Sequence, residues 1–117
     1  MAKAKSPLRG ELWLANLDPV AGHEQGGRRP CLVVSSNLFN EGPAGLVVVL
    51  PVTSKNKGIR FHVPVEPPEG GVKTLSFVKP EDIRSISKER LLKKMGGVEQ
   101  ETMDTIGHRL RSLLDIL

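Results

Sequence analysis

The sequence predicts a mainly β domain with helices, of the α+β class: a small curled sheet or barrel followed by one C-terminal helix. Three observations predict it. Short apolar runs follow one another, punctuated by Gly, Pro, Asn and Asp. No strand-like run alternates with a helical one, so a parallel βαβ sheet is not expected. Met103, Ile106, Leu110, Leu113, Leu114 and Leu117 then recur at helical spacing. A chain of 117 residues suffices for one domain with one modest core.

Residues 1–7 read as a mobile basic tail, and residues 8–117 as a single domain. Leu12 to Leu17 form a first strand with apolar side chains on both faces, stopped by the turn signal Asp18-Pro19. A polar loop follows, then a β-branched strand from Cys31 to Ser36. Asn37 to Gly45 is a connection, turning at Asn40 to Pro43. Leu46 to Leu50 is the most apolar segment and should be central. Ile59, Phe61, Val63 and Val65 alternate with Arg60, His62, Pro64 and Glu66, as in a half-buried strand. Pro64 puts that strand at an edge. Glu66 to Gly71 is irregular, and Val72 to Val78 is a further strand. Asp82 to Ile86 follows, and Leu91 to Met95 adds a short last strand before Gly96-Gly97. Glu99 and Glu101 suit the positive end of the final helix, and Val98 is placed to staple onto Met103. Gly107 weakens that helix by roughly 1 kcal/mol relative to Ala, which suggests close packing there.

Composition narrows the function. Aromatic residues are 3% of the chain, with no Tyr, which argues against aromatic grooves for Pro-rich peptides and against base-stacking sheets. A net charge of +4 allows a polyanionic partner. The single Cys31 rules out an internal disulfide framework and is expected to be a buried, inert thiol. The start of the chain has no apolar core of a signal peptide, and Leu46 to Val52 is too short to span a bilayer. A cytoplasmic, membrane-free setting is expected.

The informative stretch is Gly22 to Pro30, a Gly-rich loop between two strands that carries His23, Glu24, Gln25, Arg28 and Arg29. Gly26-Gly27 lets the backbone approach a ligand closely, and the two Arg offer planar forks suited to phosphate. The same residues suit an ordinary hairpin connection with a solvated Arg pair. His23, His62 and His108 lie far apart, so no metal site and no cofactor are expected. Neither a nucleotide-binding loop nor a nucleophile elbow is present. If the strand after the loop pairs with the central strand, Arg29 meets Thr53 and Ser54. Glu24 and His23 would lean in from the loop, and Lys57 from the next turn. Phosphate-directed donors with a nearby base suit RNA cleavage by the adjacent 2′-OH.

The runs Arg9 to Trp13, Gly22 to Gly27 with Arg29-Pro30, and Pro51 to Ser54 resemble the MazF/PemK toxins of bacterial toxin–antitoxin pairs. The resemblance continues through Lys57-Gly58 and Asp82 to Ile86 into the C-terminal helix, and covers residues 8–117. It implies an SH3-like barrel, a homodimer, and a sequence-selective, metal-independent endoribonuclease of single-stranded mRNA. The products would be a 2′,3′-cyclic phosphate and a 5′-OH. By position, Arg29 and Thr53 match the family's catalytic arginine and threonine. Glu24 matches a loop glutamate, the candidate base, and His23 a histidine credited in the PemK branch. Ser54, Lys57, Arg28, Lys79 and Glu81 are expected to bind substrate. That branch also has an Arg and an Asp two residues apart where this chain reads Lys79-Pro80-Glu81, keeping the charges and not the residue types. A family antitoxin would lay an acidic C-terminal segment over the basic groove.

Other readings stay open. Arg29 also suits bracing the loop, and Thr53 suits ordinary strand material. A protein-binding poison like the gyrase-directed CcdB relatives has no use for the Arg29 and Thr53 pair. A non-catalytic RNA-binding barrel would bind with steep salt dependence and leave RNA intact.

Overall fold

The computed structural model describes residues 6–19, 21–23 and 26–117. Its elements, in chain order, are β1 (Glu11–Asn16), β2 (Arg28–Val33), α1 (Asn37–Glu41), β3 (Leu46–Thr53), β4 (Val63–Val65), β5 (Ser76–Val78), β6 (Arg84–Ser87), β7 (Leu91–Gly97) and α2 (Gln100–Leu114). The strands form one antiparallel sheet in the order β4-β5-β3-β2-β1-β7, with β6 also paired to β3. The most apolar segment is central, as expected, and Pro64 sits on the edge strand β4. Among the described residues, no helix is long and apolar enough to cross a membrane.

The sheet curls, so both of its faces are buried. Leu12, Leu32, Leu50, Val52, Val63, Val65 and Val78 face Met103 and Ile106 of α2. On the opposite face Ala15, Cys31, Val33, Val47, Val49, Ile86 and Leu91 form a second cluster. Alternate residues of β2 and β3 thus enter different clusters, which is why their runs are continuously apolar. Burial of Met103 and Ile106, at about 1.5–3 kcal/mol each, holds a helix that alone would be marginal.

The curl is closed at glycines, where a side chain would not fit. The tight turn Glu69–Gly71 between β4 and β5 packs onto β1 and β7. A Cβ at Gly70 would overlap Leu12, one at Gly71 would overlap the Met95 carbonyl, and one at Gly96 would meet the Gly70 carbonyl carbon at 2.9 Å. From the same turn, Glu69 Oε2 accepts the Glu99 N–H (2.9 Å) and the Thr102 hydroxyl (2.5 Å). The start of α2, which has no cap from its own Glu99 side chain, is therefore capped from the closing turn.

Several expectations change. Residues 37–41 form a short helix, because Ser36 caps it by accepting the Phe39 N–H (3.2 Å) and Asn40 is buried on Ser35. The strand expected from Ile59 shrinks to Val63–Val65. Ile59 is exposed, and His62 is buried beside Glu81 instead of facing solvent. The strand expected from Val72 shrinks to Ser76–Val78. The second strand starts earlier than expected, at Arg28. A Cβ at Gly107 would meet nothing within 4 Å, so the close packing lies at Gly70, Gly71 and Gly96 instead. On α2, Met103 and Ile106 are buried, whereas Leu113 and Leu114 are exposed, as is Leu117 beyond the end of the helix. Residues 1–5 of the expected tail lie outside the described residues, and Pro7 is already buried.

Gly71→Ala should cost about 2–4 kcal/mol in urea unfolding, because its positive φ and the Met95 carbonyl both oppose a side chain. Gly58→Ala, also at positive φ but in open space, should cost only about 1 kcal/mol.

Glu11 ties β1 to β7. Burial raises its pKa, but the Lys94 ammonium (2.8 Å), the Leu8 N–H (2.8 Å) and the Trp13 indole N–H (3.1 Å) outweigh that and hold it below 4.5. A depressed carboxyl pKa contributes stability above the unfolded-state value, and that stability is lost as pH falls through the folded value. The stability gap between the native chain and Glu11→Gln should therefore narrow as denaturant titrations are repeated from about pH 7 to about pH 3. A gap that is constant over this range would refute the assignment.

Candidate functional site

Pairing of β2 with β3 sets Cys31 opposite Pro51. Beyond that pair the ends of the two strands, with Arg29 and Thr53, line the same cleft. The cleft, of about 360 Å³, has Arg28, Arg29 and Pro30 on one side and Val52, Thr53 and Ser54 on the floor. Its other wall is the segment entering β5, with Lys73, Thr74 and Ser76, and Met95 completes it.

Each central group is held locally. Arg29 is half-buried, and its Nε donates to the Gly26 carbonyl (2.7 Å). That bond fixes the inner edge of the guanidinium and leaves two Nη groups at the outer end to serve an anion. Thr53 is 7% exposed, and its Oγ1 accepts the Lys55 N–H (3.2 Å). The hydroxyl proton is still available for donation. Ser54 is exposed beside it.

The charges around the cleft have one sign. Arg28, Arg29 and Lys73 line it, and no described lining residue is a carboxylate. A neighbouring recess of about 660 Å³ shares only Gly71 and Met95 with it and is lined by Glu66, Glu69 and Glu99. The recess is the larger of the two, but its carboxylates repel phosphate. Of the two, the cleft has the charge that suits an anion.

Not every expected residue joins it. His23 is exposed and Lys57 is exposed, and neither lines the cleft. Glu24 lies outside the described residues. Lys79 is buried, with Nζ 3.0 Å from Asp82 Oδ2. Glu81 Oε2 stands 2.6 Å from His62 Nε2. The structure thus gives Lys79 and Glu81 partners within the fold, away from the cleft lining. Among the described residues, no group of three or more His, Cys, Asp or Glu is placed to hold a metal.

Residues 8–114 match the family of PemK-like, MazF-like toxins of type II toxin–antitoxin systems. The chain belongs to that family. The endoribonuclease PemK of Escherichia coli is 38% identical over 119 residues, covering 97% of this chain and 87% of its own. The crystal structure of MazF from Deinococcus radiodurans matches with a TM-score of 0.86 at 35% identity, over 96% of this chain and 99% of that one. A MazE–MazF crystal structure from the same organism matches with a TM-score of 0.80 at 35% identity, over 97% and 99%.

For a PemK/MazF toxin, the wall missed in the sequence is Lys73, Thr74 and Ser76. They were legible only as polar residues interleaved in a strand. The available signal was three hydrogen-bonding side chains directly after Gly70-Gly71.

Cys31, on β2 beside the site, is fully buried. Burial pushes its thiol up to about 12, against the opposing fields of Arg29 and Arg84. The inert thiol expected from the sequence is what the fold contains. Folded protein at neutral pH should carry on the order of 10³-fold less Cys31 thiolate than the unfolded chain. A disulfide reagent should therefore label it only after denaturant is added, and rapid labelling of native protein would contradict this burial.

Proposed function

We propose that the cleft is the active site of a sequence-selective, metal-independent endoribonuclease, the toxin of a toxin–antitoxin pair. The observation that carries the reading is that Arg29, at the start of β2, and Thr53, at the end of β3, line one cleft that has cations and no described carboxylate in its lining. Family membership supports the same class of reaction.

In this reading the substrate 2′-OH attacks the adjacent phosphorus and the 5′-oxygen leaves. The phosphorane carries more negative charge on its oxygens than the diester does. Arg29, tethered through Nε, presents its Nη groups to that charge at no cost in reorganisation. Thr53, oriented by the Lys55 N–H, donates its proton to a non-bridging oxygen. A base removes the 2′-proton and an acid returns one to the 5′-oxygen. Glu24 is the first candidate for the base and His23 the second. Arg28, Lys73, Thr74 and Ser76 hold the flanking chain, with Ser54 and Lys57 at the rim. The products are a 2′,3′-cyclic phosphate and a 5′-OH.

The working protein is a cytoplasmic homodimer in this proposal, with the exposed apolar end of α2 available for contact. Its antitoxin presents an acidic C-terminal segment to the basic cleft. A Deinococcus MazF assembled with MazE is the structural precedent.

Purified protein incubated with pooled random-sequence RNA in EDTA should cut at a short recurring motif and leave cyclic phosphate ends. Arg29→Ala should lose on the order of 10²-fold or more in kcat. Thr53→Val, which keeps the shape and removes the donor, should lose a comparable factor. RNA bound but left intact would select a binding module instead.

A further inference from the structure

We propose that Arg90, with Arg84 beside it, is a positioning residue that orients Arg29 through the root of the Gly-rich loop; the inference rests on the proposed ribonuclease reading. Both arginines come from the β6 to β7 region, outside the cleft lining. Arg90 Nη1 donates to the Asn16 carbonyl (3.2 Å) and to the Asp18 carbonyl. Arg84 Nη1 donates to the carbonyl between them, that of Leu17 (3.3 Å). Two guanidinium groups thus take three consecutive carbonyls at the point where β1 runs into the loop.

From there a chain of hydrogen bonds reaches the site. The Leu17 N–H donates to the Gly27 carbonyl (2.9 Å). Asp18 Oδ1 accepts the Gly27 N–H (2.9 Å), and Asn16 Oδ1 accepts the Asp18 N–H (3.1 Å). Both strands of the loop root are therefore tied together. The next carbonyl back, that of Gly26, is the acceptor for Arg29 Nε. Where the Gly26 carbonyl stands decides where the Nη end of Arg29 points. A shift of about 1 Å in a positioned group costs on the order of 10²-fold in rate, so this brace acts on the chemistry without touching substrate.

The chemistry of the brace explains the residue type. Arg90 Nη1 carries two N–H donors in one rigid plane and gives one to each of the Asn16 and Asp18 carbonyls, whereas a lysine ammonium is a flexible point charge. Without Arg90, the carbonyls of Asn16 and Asp18 turn to water and the root is free to shift.

The test measures cleavage of an RNA carrying the chain's own cut motif by Arg90→Met and by Asp18→Ala, the second breaking the same chain at an exposed position. Amide exchange at Leu17 and Gly27 is followed in parallel. Each variant should lose about 10-fold to 10²-fold in kcat with KM nearly unchanged, and both amides should exchange faster. In an Arg29→Lys background, where no Nε grips Gly26, the further loss should shrink to about threefold or less. The same loss in both backgrounds would overturn the proposal, because Arg90 would then not act through Arg29. Unaltered exchange at Leu17 and Gly27 would overturn it equally. A native protein that cuts no RNA would remove the ribonuclease reading itself, and the exchange arm would still show whether the brace exists.

Discussion

The structure depends on one close approach made at glycines. At Gly70, Gly71 and Gly96 the turn after β4 meets β1 and β7 with no room for a Cβ. A sheet with the order β4-β5-β3-β2-β1-β7 has two distant edges, and this contact is what joins them. Side chains would hold those edges further apart. The curl would relax, and Leu12 and Met95 would lose the cover they have now. Glu69 then carries the closure onward by capping α2, so the helix that seals one core face is registered to the same turn.

Closure also builds the site. The segment that leaves Gly71 toward β5 supplies Lys73, Thr74 and Ser76, and it is held against the ends of β2 and β3 because its start is pinned on Met95. The turn divides the surface by charge as well. On one side stand Arg28, Arg29 and Lys73, and on the other Glu66, Glu69 and Glu99. Gly71 and Met95 are the ridge between them. A polyanion is attracted to one recess and repelled by the next within the reach of unscreened charge, about 8 Å at physiological ionic strength.

The parts of this arrangement that follow local rules were legible in the sequence. A continuous apolar run marks β3 as central, and Pro64 marks β4 as an edge. The pairing of β2 with β3, whose ends bring Arg29 and Thr53 to one cleft, could be anticipated from chain order alone. What local rules miss is tertiary. His62 sits at a solvent-facing position of an alternating pattern, yet it is buried because Glu81 is there to meet it. Gly107 looked like a contact glycine, whereas the contact glycines stand in a segment that periodicity leaves blank. Lys79 and Glu81 carry the charges of a family motif but face partners inside the fold, and no spacing rule distinguishes a pairing charge from a binding one.

From the sequence, bracing and catalysis were alternative uses for Arg29. In the structure the bracing bond takes one edge of the guanidinium, and the proposed function uses the other. Nε donates to Gly26, and that bond uses none of the Nη donors. A guanidinium free at both edges samples many rotamers, and ordering so long a side chain costs about 1.5–2 kcal/mol. If that cost fell in the transition state, it would subtract from the charge stabilisation that the residue provides. The Gly26 bond moves it into folding, where it is met before substrate arrives. The loop is therefore rich in glycine for two reasons. Gly27 adopts a positive φ that other residues resist, and this conformation lets the Gly26 carbonyl stand beside Arg29 while the Gly27 amide and carbonyl close the loop root. Under the proposed function, bracing is the means by which the arginine becomes a preorganised anion donor.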